Sequence, residues 1–178
     1  MTTEPIIIPL HKGKLVSFLL GTAFLTIIGI WVLLFDRDIN SSLKYGVGLP
    51  VTLFFGAIAI TYFIKYRSNK PGIVIDDNGI TDNASGVSAG FIPWADVKRI
   101  YISNVATQEF VMIEVSNPKH YITRQPNLLK RMMMWANWKS WGTPITITAN
   151  GLQTFTPVLV EILEDKWAEY KNNGRHEH

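Results

Sequence analysis

The chain has 178 residues, 47% of them apolar, with a mean hydropathy of +0.14 and a formal net charge of +3. That length holds one or two domains, and so apolar a balance is high for a chain surrounded only by water. The absence of cysteine excludes disulfides, thiolate zinc sites and a cysteine nucleophile, and four scattered histidines, His11, His120, His176 and His178, point to no metal centre and no cofactor.

Residues 1–14 form an N-terminal segment containing Glu4–Leu10 (EPIIIPL), an apolar, β-branched run. An added strand over residues 5–9 is expected, with Ile6–Ile8 docking on an exposed sheet edge or apolar groove. Leu15–Phe35 is then 21 residues without an ionisable group, which at helical rise spans about 31 Å, the thickness of a hydrocarbon core. Tyr45–Ile64 is a second such run of 20 residues, reaching about 30 Å by the same measure. The pair predicts a transmembrane hairpin over residues 15–66, with spans 15–35 and 45–64. A cleavable signal sequence is shorter and ends in small residues, whereas the first run ends in Val32-Leu33-Leu34-Phe35-Asp36. Pro50 falls in the first turns of the second span, where a bend is expected and no break.

The connection Asp36–Lys44 carries Arg37 and Lys44, while Lys12, Lys14, Lys65, Arg67 and Lys70 flank the other ends. The positive-inside rule therefore places both termini in the cytoplasm of a multi-pass, inner-membrane protein. Trp31, Phe35, Tyr62, Phe63 and Tyr66 fit interfacial anchoring. Ser17, Gly21 and Gly29 on the first span, with Gly48, Thr52 and Gly56 on the second, form small-residue stripes that suit either packing of the hairpin on itself or a homo-oligomer seam. Neither span holds an ionisable residue, which argues against a carrier or pump and for an anchor.

From Pro71 the pattern changes. Residues 1–70 hold 7 basic and 3 acidic groups, residues 71–178 hold 10 and 11. The pI near 9.1 thus belongs to the membrane flanks, and no nucleic-acid partner is expected. Strand-like runs at 72–75, 80–82, 87–94, 97–105, 110–115 and 144–149 alternate with turn signals such as Asp76-Asp77-Asn78-Gly79 and Asn150-Gly151. Ile100 and Ile102 alternate with Arg99, Tyr101 and Ser103, as a strand with one buried face should. Thr156-Pro157 predicts the cap and first turn of an amphipathic helix carrying Leu159, Ile162, Leu163, Trp167 and Tyr170, which covers one opening of a bent sheet. Residues 172–178 read as a flexible tail.

Two spans, many strands and one C-terminal helix, with Gly79-Ile80 answered by Gly90-Phe91-Ile92-Pro93-Trp94-Ala95-Asp96-Val97, resemble bacterial two-pass membrane proteins with a C-terminal pleckstrin-homology-like (PH-like) domain. The resemblance covers residues 71–171 and implies an α+β membrane protein: a hairpin followed by an antiparallel β-barrel or bent sheet. It implies structural jobs for Gly90, Pro93, Trp94 and Asp96, with Trp94 in the core and Asp96 capping a turn. It carries fold and location much further than chemistry.

Residues 117–141 fit no strand ladder. Asn127 and Gly142 bracket an inserted helix over residues 127–141, with Leu128, Met132 and Trp135 on one face and Met134, Trp138 and Trp141 on another. Three methionines, three tryptophans and three cations without an acid suit lipid headgroups, a protein groove or the domain's own surface. The candidate contact residues are Lys130, Arg131, Met132, Met133, Met134, Trp135, Trp138, Lys139 and Trp141. The Asp76–Gly79 hairpin is acidic and would repel phosphate, so the phosphoinositide site of familiar PH domains is not carried over. Asp76, Asp77, Asn78 and Asp82 lack the spacing of a calcium loop and read as turn chemistry. Asn83–Gly90 is rich in glycine and serine but is followed by no G-K-[ST], and His120 has no carboxylate partner at a recognisable spacing. No enzyme is expected. The chain reads as a membrane-anchored binding or scaffold protein holding a protein or lipid partner, itself included as a homo-oligomer. The alternative is a regulatory or immunity-type subunit of a membrane assembly acting through its transmembrane helices.

Overall fold

The computed structural model describes residues 4–35, 40–84, 86–105 and 107–173. It divides into two compact units, His11–Asn69 and the combination of Met1–Leu10 with Lys70–His178.

The first unit is a helical hairpin. Helix α1 is Lys12–Phe35; a short α2, Ser41–Leu43, runs through a π-helical stretch, Lys44–Gly48, into α3, Leu49–Arg67. Of the Asp36–Lys44 connection, residues 36–39 lie outside the described residues, and Asn40 caps α2 by accepting from the Ser42 N–H at 2.9 Å. The wide turn has a local cause. Pro50, in the first turn of α3, offers no N–H and its ring crowds the carbonyl four residues back, so the ladder shifts and Leu49 N–H bonds Lys44 O. Hydroxyls inside the helices are satisfied within their own helix: Thr22 donates to Phe18 O (2.8 Å), Thr26 to Thr22 O (2.7 Å), Thr52 to Gly48 O (2.8 Å) and Thr61 to Ala57 O (2.9 Å). That is what a hydroxyl needs where no water reaches it. Phe18, Leu20, Phe24, Ile27, Trp31 and Leu34 of α1, with Leu53, Phe54, Ile60 and Ile64 of α3, are exposed. Both helices are long and apolar enough to cross a membrane, and so much bare apolar surface suits lipid better than water.

The second unit is α+β. Strands β1 (Ile6–Ile8), β2 (Ile73–Ile75), β3 (Gly79–Asp82) and β4 (Gly90–Pro93) form one antiparallel sheet in that order. Strands β5 (Val97–Val105), β6 (Gln108–Val115) and β7 (Ile145–Ile147) form a second, also antiparallel. The described strands therefore make two separate ladders and no closed barrel. Helices α4 (Pro118–Thr123) and α5 (Leu128–Trp141) lie between β6 and β7, and α6 (Thr156–Asn173) packs against β5 and β6. Ile73, Ile75, Ile80, Ile92, Trp94, Val111, Ile113, Ile145, Ile147, Leu159 and Leu163 form the buried core.

Three expectations need correction. Thr156 is buried inside the first turn of α6, and Phe155 holds the cap position, its carbonyl accepting from Leu159 N–H at 3.0 Å. Ile102 is exposed on edge strand β5 although Ile100 is buried, because an edge strand has cover on one flank only. Helix α6 runs to Asn173, two residues into the expected tail; residues 174–178, with His176 and His178, lie outside the described residues.

The N-terminal strand is sewn in from both sides. Ile6, Ile7 and Ile8 pair with Ile75, Val74 and Ile73. Beyond it, Leu10 bridges Leu152 and the Gln153 N–H bonds Pro9 O at 3.0 Å. Ile8 and Leu10 are buried, and a Cβ on Gly72 would overlap the Leu152 side chain and press on Ile8 O. Deleting residues 1–9 removes the buried Ile8, the half-buried Ile6 and the ladder to β2, and should cost about 3–4 kcal/mol, since each buried aliphatic side chain is worth about 1.5–3 kcal/mol. The melting temperature of the sheet domain, followed in the detergent-solubilised chain, should then fall by more than about 10 °C; an unchanged value would mean that β1 contributes nothing.

Candidate functional site

Helix α5 is bounded by local chemistry. Asn127 Oδ1 accepts from Leu129 N–H at 2.9 Å and Lys130 N–H at 3.4 Å, and Gly142 closes the helix in the left-handed region (φ 77°), its N–H bonding Trp138 O. The outer face of the second sheet receives it. Tyr101 pairs with Met112, and Met112 with Thr146, so these three share one face. Tyr101 Oη donates to Trp141 O at 3.3 Å, and Asn137 Nδ2 donates to Thr146 Oγ1 at 3.2 Å. Met134 is fully buried, while Asn137 and Trp138 are half-buried.

Fixing that inner face determines the outer one. At 100° per residue, Leu128, Leu129, Met132, Met133, Trp135, Ala136, Lys139 and Ser140 fall on the opposite arc. Leu128 is 70% exposed, Leu129 64%, Met132 60% and Trp135 52%. The amphipathic order is thus inverted: the arc turned away from the domain carries one charge among its large apolar side chains. Lys139 sits with Nζ 5.7 Å from the rings of both Trp135 and Trp138.

The cations sort into two kinds. Arg124 donates to Ala89 O and Phe91 O, each at 2.6 Å, and lies 4.2 Å over the Tyr121 ring. Arg131 donates to Gln125 O and Thr123 O, again at 2.6 Å, tying α5 to the end of α4. Lys130 is half-buried, and burial lowers its pKa, the Asp82 carboxylate pulling the other way and Arg124 adding to the fall. Lys119 and Lys139 are exposed. The guanidinium acceptors named here are neutral carbonyls, so the charges of Arg124 and Arg131 are positioned by them without being cancelled.

Of the nine expected contact residues, the structure thus removes Met134, which is interior, and directs Lys130, Arg131, Trp138 and Trp141 inward or sideways. Met132, Met133, Trp135 and Lys139 face outward. Sequence reasoning missed the supporting network: α4, capped by Asn117 (which accepts from His120 N–H at 3.3 Å) with Pro118 in its first turn, buries Tyr121, and Gln125 just beyond the helix is buried too. The dipeptide Asn117-Pro118 was the available signal. Tyr121 Oη donates to Asp96 Oδ2 at 2.5 Å, and burial together with that carboxylate pushes its ionisation far above the ordinary tyrosine value. Gln125 donates to Tyr121 O at 3.2 Å and Ala89 O at 3.5 Å.

The motif residues also have places. Trp94 is buried and donates from Nε1 to Asp76 O at 2.8 Å; Gly90 adopts φ 76°. Asp96 lies in a 3₁₀ turn that follows Pro93. Asp76 Oδ1 accepts from Asn78 N–H (2.8 Å) and Gly79 N–H (3.0 Å), the expected turn chemistry. In the Asn83–Gly90 loop two amides are taken by the buried Asp82 carboxylate, Ala84 N–H on Oδ1 and Ala89 N–H on Oδ2, each at 2.8 Å. A carboxylate at that position makes the loop a poor phosphate cradle. Among the described residues no group of three or more His, Cys, Asp or Glu could hold a metal ion.

In the helical unit, Gly29 lies against Thr52, where a Cβ would overlap the threonine hydroxyl, and Gly56 lies near Thr26; Phe18 stacks on Tyr62 at 5.5 Å between centroids. Gly48 lies near Leu33, whereas a Cβ on Gly21 would meet open space, and Ser17 is exposed. The hairpin therefore uses Gly29, Thr52 and Gly56 for its own packing. Searches with the chain find no matching family model, no matching curated protein and no matching solved structure.

Proposed function

We propose that this is a non-enzymatic, membrane-anchored binding module: α1 and α3 span the inner membrane with both termini cytoplasmic, and a PH-like domain offers the outer arc of α5 to a partner at the membrane face. The PH-like reading draws support from the seven antiparallel strands among the described residues, in a four-strand and a three-strand ladder followed in sequence by one helix. Inner-membrane placement draws support from the two runs without an ionisable residue, 15–35 and 45–64, and from the basic residues that flank one side of the hairpin. The observation that carries the reading is the inverted amphipathicity of α5, with Leu128, Leu129, Met132 and Trp135 exposed on a helix whose other side is firmly docked.

A photo-crosslinking amino acid at Met132, tested in native membranes beside one at the exposed Glu164 of α6, decides the matter. Adducts at position 132 well above those at 164 are expected; equal yields would end the proposal. Protease added outside intact cells should leave the sheet domain whole, and its digestion would overturn the orientation.

A further inference from the structure

We infer that the occupant of the outer arc of α5 is an anionic lipid surface, the headgroup layer of a phosphatidylglycerol-type bilayer; the inference rests on reading α5 as the contact surface. Charge complementarity is the first argument. Pro118–Trp141 contains Lys119, Arg124, Lys130, Arg131 and Lys139 and no carboxylate. Two carboxylates from outside it reach this stretch: Asp96, which accepts from Tyr121 Oη, and Asp82, which is buried and holds two backbone amides. The guanidiniums of Arg124 and Arg131 are fixed by neutral carbonyls, so residues 118–141 present a positive field that no carboxylate within them offsets.

The chemistry of the arc is the second argument. A protein groove selects shape, whereas the headgroup level of a bilayer selects a band of aliphatic and indole side chains edged by lysine. Leu128, Leu129, Met132, Met133 and Trp135 are that band. Lys139, held at 5.7 Å from two indole rings, puts an ammonium at its border. Flexible methionines need no unique partner shape. The third argument is covalent: only residues 68–72 separate α3 from β2, a tether of at most about 18 Å when fully extended. The domain is thus held at high effective concentration toward whatever surface receives α1 and α3.

The chain has no native cysteine, so single labels are clean. Met132→Cys and, as control, Glu164→Cys carry an environment-sensitive fluorophore in the full chain, reconstituted into phosphatidylcholine vesicles with or without phosphatidylglycerol and containing a nitroxide-labelled lipid as quencher. Quenching at position 132 should exceed that at 164, rise at least about twofold with the anionic lipid, and lose that rise in high salt. The double variant Lys119→Glu with Lys139→Glu should lose the same rise while keeping its fold, read by circular dichroism. Equal quenching at 132 and 164 overturns the inference, and so does quenching that ignores phosphatidylglycerol. If native membranes give only protein adducts at position 132 while the vesicles give no quenching, the lipid occupant is wrong and the binding-module reading stands. If neither experiment marks position 132, both fall.

Discussion

Trp94→Ala should destabilise the sheet domain by about 3–5 kcal/mol, the usual effect of emptying a large buried aromatic site. Trp94 is almost wholly buried and its indole N–H bonds Asp76 O at 2.8 Å, across the hairpin that joins β2 to β3. The truncation removes packing from the centre of the core and leaves a carbonyl without its donor. A domain of this size has only about 5–15 kcal/mol in total, so the midpoint should fall by more than 10 °C, on a scale of about 4 °C or more per kcal/mol. Gly79→Ala tests the same corner from the other side: a Cβ there would overlap Ile92 O and crowd Pro93 Cα, both backbone, so no side-chain rotation can relieve it. Thermal unfolding of the detergent-solubilised chain, followed by near-ultraviolet circular dichroism, checks both. Midpoints within a few degrees of the parent would show that the Gly79–Trp94 corner contributes little to the stability of the domain.

Asp82→Ala should follow closely, at about 3 kcal/mol, because two buried amides, Ala84 N–H and Ala89 N–H, lose a charged acceptor at once. Asp82→Asn keeps one acceptor and should fall between the two. The loss should also depend on pH through Lys130. Burial lowers its folded pKa below the unfolded value, with Asp82 opposing that fall. Folding therefore releases a proton from this lysine, and stability rises as pH climbs through the lowered folded pKa toward the ordinary lysine range. Without Asp82 the folded pKa drops further, so the alkaline gain is larger and the gap between Asp82→Ala and the parent narrows from neutral to alkaline pH. Lys130 is partly exposed, so solvent screens this effect and it remains the smaller part. Urea titrations at neutral and alkaline pH measure it; a gap that widens would contradict the sign.

The ends of α5 were legible from Asn127 and Gly142, and the two membrane-length helices from uncharged runs, because capping and hydropathy act through neighbours in sequence. The strands were legible for the same reason: Ile73 and Ile75, or Ile145 and Ile147, show their period within three residues. The run Ile6–Ile8 reads as strand-like, but its pairing with Ile75–Ile73 joins residues nearly seventy apart. No local pattern names that partner.

Composition alone also left open which arc of α5 faces outward, since Met, Trp and Leu ring the helix. The register of Tyr101, Met112 and Thr146 chose, by offering a sheet face to Met134 and Asn137 and so turning Met132 and Trp135 away. Likewise Arg131 reads as a contact cation until the carbonyls of Thr123 and Gln125 gather around it. The sequence by itself determined what local sterics, capping and hydropathy determine: most of the strands, helices α5 and α6, and the two membrane-length rods. The tertiary structure alone decided which side of each element is covered, because burial is a property of what lies opposite, and what lies opposite is set by contacts far apart along the chain.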